Sequence, residues 1–163
     1  YQGPVYNLCY RMLGNPAGAE DAAQETWIKV FRNLNRYRIG SSFSAWVSSI
    51  ASRTAIDLLR KRNRIPAMES VEECGDFPAW LLPSIWNESA DREFEARVMD
   101  ILQRLPDMQR TAFVLRHFEG FTLREIGETL GCLEGTVKAH IHRAVLVIRE
   151  ELKKFKDLET GVS

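Results

Sequence analysis

TLREIGETLGCLEGTVKAHIHR, residues 122–143, is the stretch that decides how this chain folds. Thr122 and Glu125 stand at capping-box spacing, where hydroxyl and carboxylate each satisfy an orphan amide at a helix N-terminus. The short helix they open stops at Gly131, and three residues later a long helix runs from Glu134 to about Lys156. On that second helix Val137, Ile141, Ala144, Val145 and Ile148 fall on one face, with Lys138, Ala139, His142 and Arg143 opposite. A short capped helix, a glycine-containing turn and a second amphipathic helix make the helix-turn-helix pattern. The N-terminal turns of its second helix enter the DNA major groove, so those four residues are placed to meet bases and phosphates. Ala139, small and central on the exposed face, permits close approach. An antiparallel helix pair with a solvated basic face has the same pattern, so the spacing alone leaves both readings open.

Upstream, Phe94, Val98, Ile101, Leu102 and Leu105 form an amphipathic helix from about Arg92, stopped by Pro106. Asp107 is placed to cap the next helix, which runs through Phe118 and ends at Gly120. Residues 65–91 break the periodicity with Pro66, Pro78, Pro83 and Gly75, which reads as a linker. Before it, a helix around Val5–Leu13 ends at Gly14-Asn15-Pro16. Another runs from about Gly18 to Leu34 with Ala23, Trp27, Val30, Phe31 and Leu34 on one face. After a basic loop from Arg36 to Ser42, Ser41 or Ser42 caps a third helix with Phe43, Trp46, Val47, Ile50 and Leu58 as its buried stripe. It ends in the basic run Arg60, Lys61, Arg62 and then Arg64. No alternating run argues for a sheet. The expected fold is all-α: two small helical domains, 1–64 and 92–163, joined by a flexible linker, 65–91.

Charge is sorted along this chain although its net value is zero. Residues 1–64 hold ten Lys/Arg against four Asp/Glu, residues 65–91 hold six acids and no base, and residues 92–163 hold twelve of each. Such segregation implies separate modules with separate partners, and the first balance favours a polyanion. No apolar run approaches the roughly 18 residues that span a bilayer, and nothing at the start resembles a signal peptide. Cys9, Cys74 and Cys132 are odd in number and far apart, which fits a reducing cytosol better than a disulfide framework.

Asp21, Gln24, Glu25 and Ile28 recur at spacings of three and four and share one helix face. Glu25 can pair with Lys29 at i+4, whereas Asp21 has no base at i+3 or i+4. A solvated helix face accounts for this as well as a partner surface does. The acids are not catalytic: no histidine accompanies them, and the chain has no glycine-rich phosphate loop and no nucleophile beside a base. His140 and His142 diverge by about 200° around a helix and cannot share an ion, so neither a metal nor a cofactor is expected.

Two sets of motifs resemble the extracytoplasmic-function (ECF) sigma factors. AEDAAQETW at 19–27, FSAW at 43–46, Ile50-Ala51 and DLLR at 57–60 resemble their region 2. Leu105-Pro106, Gln109-Arg110, FVLR at 113–116, Glu125-Ile126, GTVK at 135–138 and Arg143-Ala144 resemble region 4. The resemblance implies two helical domains, no catalytic residue, no required cofactor, a cytoplasmic location and no membrane insertion. It implies three partners: RNA polymerase core (through the β′ clamp helices and β flap), promoter DNA and an anti-sigma factor. Asp21, Gln24, Glu25 and Ile28 resemble the face that grips the clamp helices. Arg38, Ile39, Gly40, Ser41, Ser42 and Phe43 resemble the loop that captures a flipped base of the −10 element, with Arg53, Arg60, Lys61 and Arg62 on the same DNA. Core packing is the simpler role for Trp46. The −35 element falls to Arg124, Thr136, Lys138, Ala139, His142 and Arg143, and the acidic linker resembles the segment that threads the RNA exit path.

The chain departs from the family at several places. Arg53 replaces a usual Asn beside the −10 surface, and Ala139, His140 and Val145 replace Ser, Arg and Arg near the −35 DNA. Gly127 replaces a usual Ala, which costs up to about 1 kcal/mol in an exposed helix interior. Thr136–His140 also resembles the recognition helix of response-regulator and quorum-sensing transcription regulators, but the first 64 residues resemble neither a receiver nor a ligand-binding domain. A nucleic-acid enzyme would need converging metal-ligand acids, and these are spread along a helix face or a loop.

Overall fold

The computed structural model describes residues 2–62 and 92–161. The proposed linker, Arg64 and Cys74 lie outside the described residues. Among the described residues seven α-helices follow in order: α1 (Gln2–Leu13), α2 (Pro16–Arg32), α3 (Phe43–Lys61), α4 (Arg92–Arg104), α5 (Asp107–His117), α6 (Leu123–Leu130) and α7 (Glu134–Glu159). A 3-10 turn, Leu34–Arg36, follows α2. The described residues are all helix and loop, as expected.

Local chemistry sets the helix ends. α2 begins two residues earlier than the periodicity indicates, because Asn15 accepts from the Gly18 amide at 2.7 Å and Pro16 opens the first turn. Proline suits that position, since its missing N–H would have no intrahelical acceptor there. Of the two serines able to cap α3, Ser42 does so, accepting from the Ala45 amide at 3.2 Å. Asp107 does not cap α5: Pro106 holds the cap position, and Asp107 lies in the first turn, where its carboxylate pairs with Arg110.

α2 packs through small residues rather than large ones. Ala19, Ala22, Thr26 and Val30 are buried toward α1 and α3, and Trp27 is half-buried. Phe31 and Leu34, expected in the buried stripe, point outward and are 74% and 49% exposed. Small side chains let helix axes approach closely, and the large apolar residues are then left on another side. On α3 the buried face is Val47, Ala51, Ala55, Ile56 and Leu59, with Phe43, Trp46, Ile50 and Leu58 half-buried at its edge.

The helices α4–α7 form a second group. Val98, Ile101, Leu102, Phe113, Ile126, Leu130, Val137, Ile141, Ala144, Val145 and Ile148 are all buried, as their spacing requires. His117 packs on Phe113 with ring centroids 4.4 Å apart, and burial plus the neighbouring Arg116 lower its pKa from 6.5 to about 4. The unfolded chain therefore takes up this proton at higher pH than the folded one. Its contribution to stability is complete above pH 6.5 and is lost as pH falls through about 4. Partial exposure limits the loss to about 1–2 kcal/mol. Chemical denaturation at pH 7.5 and 4.5 should show it, and His117→Phe should remove that part of the acid sensitivity.

The two groups touch. Arg110 donates from Nε and Nη2 to the Met12 carbonyl at 3.0 and 2.8 Å, and Arg60 Nη2 donates to the Leu130 carbonyl at 2.9 Å. The Arg11 guanidinium lies 4.2 Å over the Phe118 ring. Independent modules were the expectation from sequence; here their buried residues form one continuous cluster.

Candidate promoter and polymerase interfaces

Between α2 and α3 the chain makes an exposed loop on an aromatic footing. Tyr37, Phe43 and Trp46 meet pairwise with ring centroids 5.3 to 5.8 Å apart. The Tyr37 hydroxyl donates to the Ser41 carbonyl, and the Ser41 hydroxyl donates to the Arg38 carbonyl at 2.8 Å. Arg38, Ile39, Gly40, Ser41 and Ser42 stand clear, and Ile39 at the tip is 99% exposed. Gly40 has φ +101°, a backbone that L side chains rarely adopt. Tyr37, the residue that closes the loop, was not singled out by sequence reasoning. Its place within aromatic spacing of Phe43 was the available signal.

Trp46 also forms a wall of a cleft of about 350 Å³ beside this loop, with Lys29, Arg36, Arg53 and Asp57 around it. Lys29 reaches Thr54 at 3.2 Å, Glu25 at 3.8 Å and Asp57 at 3.9 Å, so the expected Glu25–Lys29 pair forms but is shared. Three cations against one acid line this cleft, a balance suited to a nucleotide strand. Arg53 is exposed on its rim. Farther along α3, Lys61 and Arg62 are exposed, while Arg60, expected on DNA phosphate, is turned to Leu130 of the second group.

On α2, Asp21, Gln24 and Glu25 are exposed, with Ile28 at 44%. Phe31 follows Gln24 by seven residues and Ile28 by three, which brings it to the same side. The acidic face therefore continues, at the C-terminal end of α2, into exposed apolar Ile28 and Phe31, which sequence reasoning missed by assigning Phe31 to the core. Exposed apolar side chains rimmed by polar ones are the signature of a protein-docking surface.

In the second group the capping box is complete: the Glu125 amide donates to Thr122 Oγ1 at 3.1 Å, and the Thr122 amide donates to Glu125 Oε2 at 2.7 Å. A Cβ on Gly127 would lie 2.7 Å from the Cys132 carbonyl oxygen. Gly127 is therefore buried under the turn, not in an exposed helix interior, and the propensity cost expected there does not apply. Arg124 is exposed and pairs with Glu128 at 3.0 Å. Arg143 is exposed, and Lys138 and His142 are half-buried. Ala139 is 3% exposed and Thr136 is buried, which corrects the expectation that Ala139 lies open at the centre of the outer face. A helical wheel ranks faces by their large apolar residues, so a small alanine away from that stripe was read as open.

The chain thus carries a capped helix, a glycine-tight turn and a long following helix in one domain, and a basic loop on an aromatic footing in the other. Two family models match these same parts: Sigma-70 region 2 over residues 1–65 and Sigma-70 region 4 over residues 95–146. The chain is 34% identical to the ECF RNA polymerase sigma factor SigW of Bacillus subtilis over 159 residues, covering 94% of this chain and 85% of that protein. It belongs to the ECF sigma factor family. The sigma factor is also 35% identical over 159 residues to the RNA polymerase sigma-H factor of Pseudomonas aeruginosa, covering 82% of that protein. Its fold is shared with the sigma factor RpoE of Bartonella quintana, solved in complex with the anti-sigma factor NepR. That likeness has a TM-score of 0.63 at 24% identity and covers 93% of this chain and 91% of that one. As a sigma factor it is not an enzyme: it directs transcription initiation. The region 2 match displaces the response-regulator and quorum-sensing alternative, since it occupies the first 65 residues. Among the described residues no helix is long and apolar enough to cross a membrane.

Proposed function

We propose that residues 1–64 and 92–163 divide promoter recognition between them, and that 65–91 connects them. The single observation that carries this is the closed, exposed loop on the Tyr37, Phe43 and Trp46 footing next to a cationic cleft. A base leaving the duplex needs a concave site, an aromatic surface and hydrogen-bonding groups already in place. Arg38 to Phe43 supplies the loop for the −10 element, with Arg53, Lys61 and Arg62 on the adjoining backbone. Arg60 joins them once released from Leu130. Arg124, Lys138, His142 and Arg143 face the −35 duplex, with Thr136 and Ala139 closer to the helix axis.

The Asp21, Gln24, Glu25, Ile28 and Phe31 surface docks on the β′ clamp helices of RNA polymerase core, and the second domain docks on the β flap. The sigma factor works in the cytoplasm, and an anti-sigma factor covers these surfaces when it is held inactive. Reconstitution with core polymerase, followed by mapping of transcription starts across a promoter library, tests the whole reading. Exchanging Arg38–Ser42 for the loop of another family member should change the preferred −10 bases and leave −35 preference as it was. An unchanged start-site profile would place −10 reading elsewhere in the protein.

A further inference from the structure

We propose that Arg60 and Arg110 form a reciprocal latch that holds the two domains of the free protein closed, with one group proposed for promoter binding, Arg60, engaged in it. Each arginine belongs to one domain and serves the end of a helix in the other. Arg110 places two N–H groups on the Met12 carbonyl, at the C-terminus of α1, and Arg60 places one on the Leu130 carbonyl, the last of α6. Final-turn carbonyls lack intrahelical donors and carry the negative end of the helix dipole, so a guanidinium is their best-matched partner.

Arg110 is not a surface residue brushing a neighbour. It is 1% exposed, and its other donors are taken by the Leu105 carbonyl and Asp107. A buried cation is tolerated only when its hydrogen-bonding groups are satisfied, and for Arg110 two of those bonds exist only while the domains are docked. Around it Met12, Leu13 and Leu105 are buried, and Arg11 lies over Phe118. This is the composition of a built interface.

Closure also occupies the DNA side of the molecule. Arg60, on the basic end of α3, is half-buried and turned to Leu130. The Nη2 that holds Leu130 is therefore not available to a DNA phosphate while the domains are closed. A phosphate oxygen is a stronger acceptor for Arg60 than a carbonyl, so DNA shifts the population toward the open form. This last step rests on the function proposed above; the latch itself does not.

Dipolar distance measurements on the full chain, with spin labels on bio-orthogonal side chains at positions 20 and 153, test the latch in the free protein, and a second series with promoter duplex tests its opening. Wild type should give one narrow, short distance. Arg60→Ala and Arg110→Ala should each broaden and lengthen it, raising the open-to-closed ratio roughly tenfold, with helicity checked by circular dichroism. Arg60 is at a helix end, so its variant remains informative if Arg110→Ala fails to fold. A broad distribution in wild type, or an Arg60→Ala distribution that overlays wild type, would overturn the latch. Broadening in the variants with no response of wild type to promoter duplex would leave the latch standing and overturn the promoter-site assignment instead.

Discussion

Phe31→Asp should reduce affinity for core polymerase by roughly 30- to 1,000-fold, about 2–4 kcal/mol, while leaving the helical fold intact. The side chain is 74% exposed and lies beyond the buried Ala19, Ala22, Thr26 and Val30 face, so its replacement opens no cavity. A large exposed aromatic on a docking surface is the kind of residue whose loss is most costly. A buried carboxylate there adds a desolvation penalty to the lost contact. Asp21→Ala with Glu25→Ala should cost less, because those groups form the rim and remain partly hydrated. Titration of labelled protein with core at two salt concentrations separates the two effects. The rim variant should lose its defect at high salt, and the Phe31 variant should keep it. Wild-type affinity in Phe31→Asp would move the docking surface off this face.

Gly127→Ala is the second, and here helix propensity and packing give opposite signs. By propensity alone alanine gains up to about 1 kcal/mol over glycine. The added Cβ, however, would meet the Cys132 carbonyl oxygen at 2.7 Å, and that oxygen belongs to backbone rather than to a side chain able to swing away. To relieve the overlap α6 and the turn into α7 must separate. Overpacking of this kind costs about 1–3 kcal/mol, so the net effect should be destabilising. It should also weaken −35 binding, since the turn sets the angle of α7. Thermal melting of the variant decides the matter: a higher Tm would show that the turn is looser than described.

The helices were legible because each carries its own local signals. Thr122 with Glu125, the stop at Gly131 and the Val137–Ile148 stripe are short-range features, and the capping bonds formed as their spacing requires. Illegible were features that depend on what a helix meets. Phe31 and Leu34 were assigned inward because large apolar residues usually are, whereas α2 packs through alanines that carry little hydrophobic signal of their own. Arg110 was invisible as an interface residue, since an arginine in a helical pattern reads as solvated. Its acceptor, Met12, is 98 positions away in the chain. The loop at 38–42 was found by composition and family resemblance, but its footing required Tyr37, whose role appears only when the chain folds back.

That footing bears on how promoter preference can diverge. Arg38 and Ile39 stand outside the core, on a loop whose shape is kept by the Tyr37 and Ser41 hydrogen bonds and by the edge-on and tilted contacts of Tyr37, Phe43 and Trp46. Substitutions at such positions usually change stability by no more than about 0.5 kcal/mol. Gly40 is the exception, because of its backbone angle. The tip can therefore accumulate new side chains almost neutrally with respect to folding. A lineage could explore new base preferences one residue at a time, without compensating changes elsewhere in the molecule.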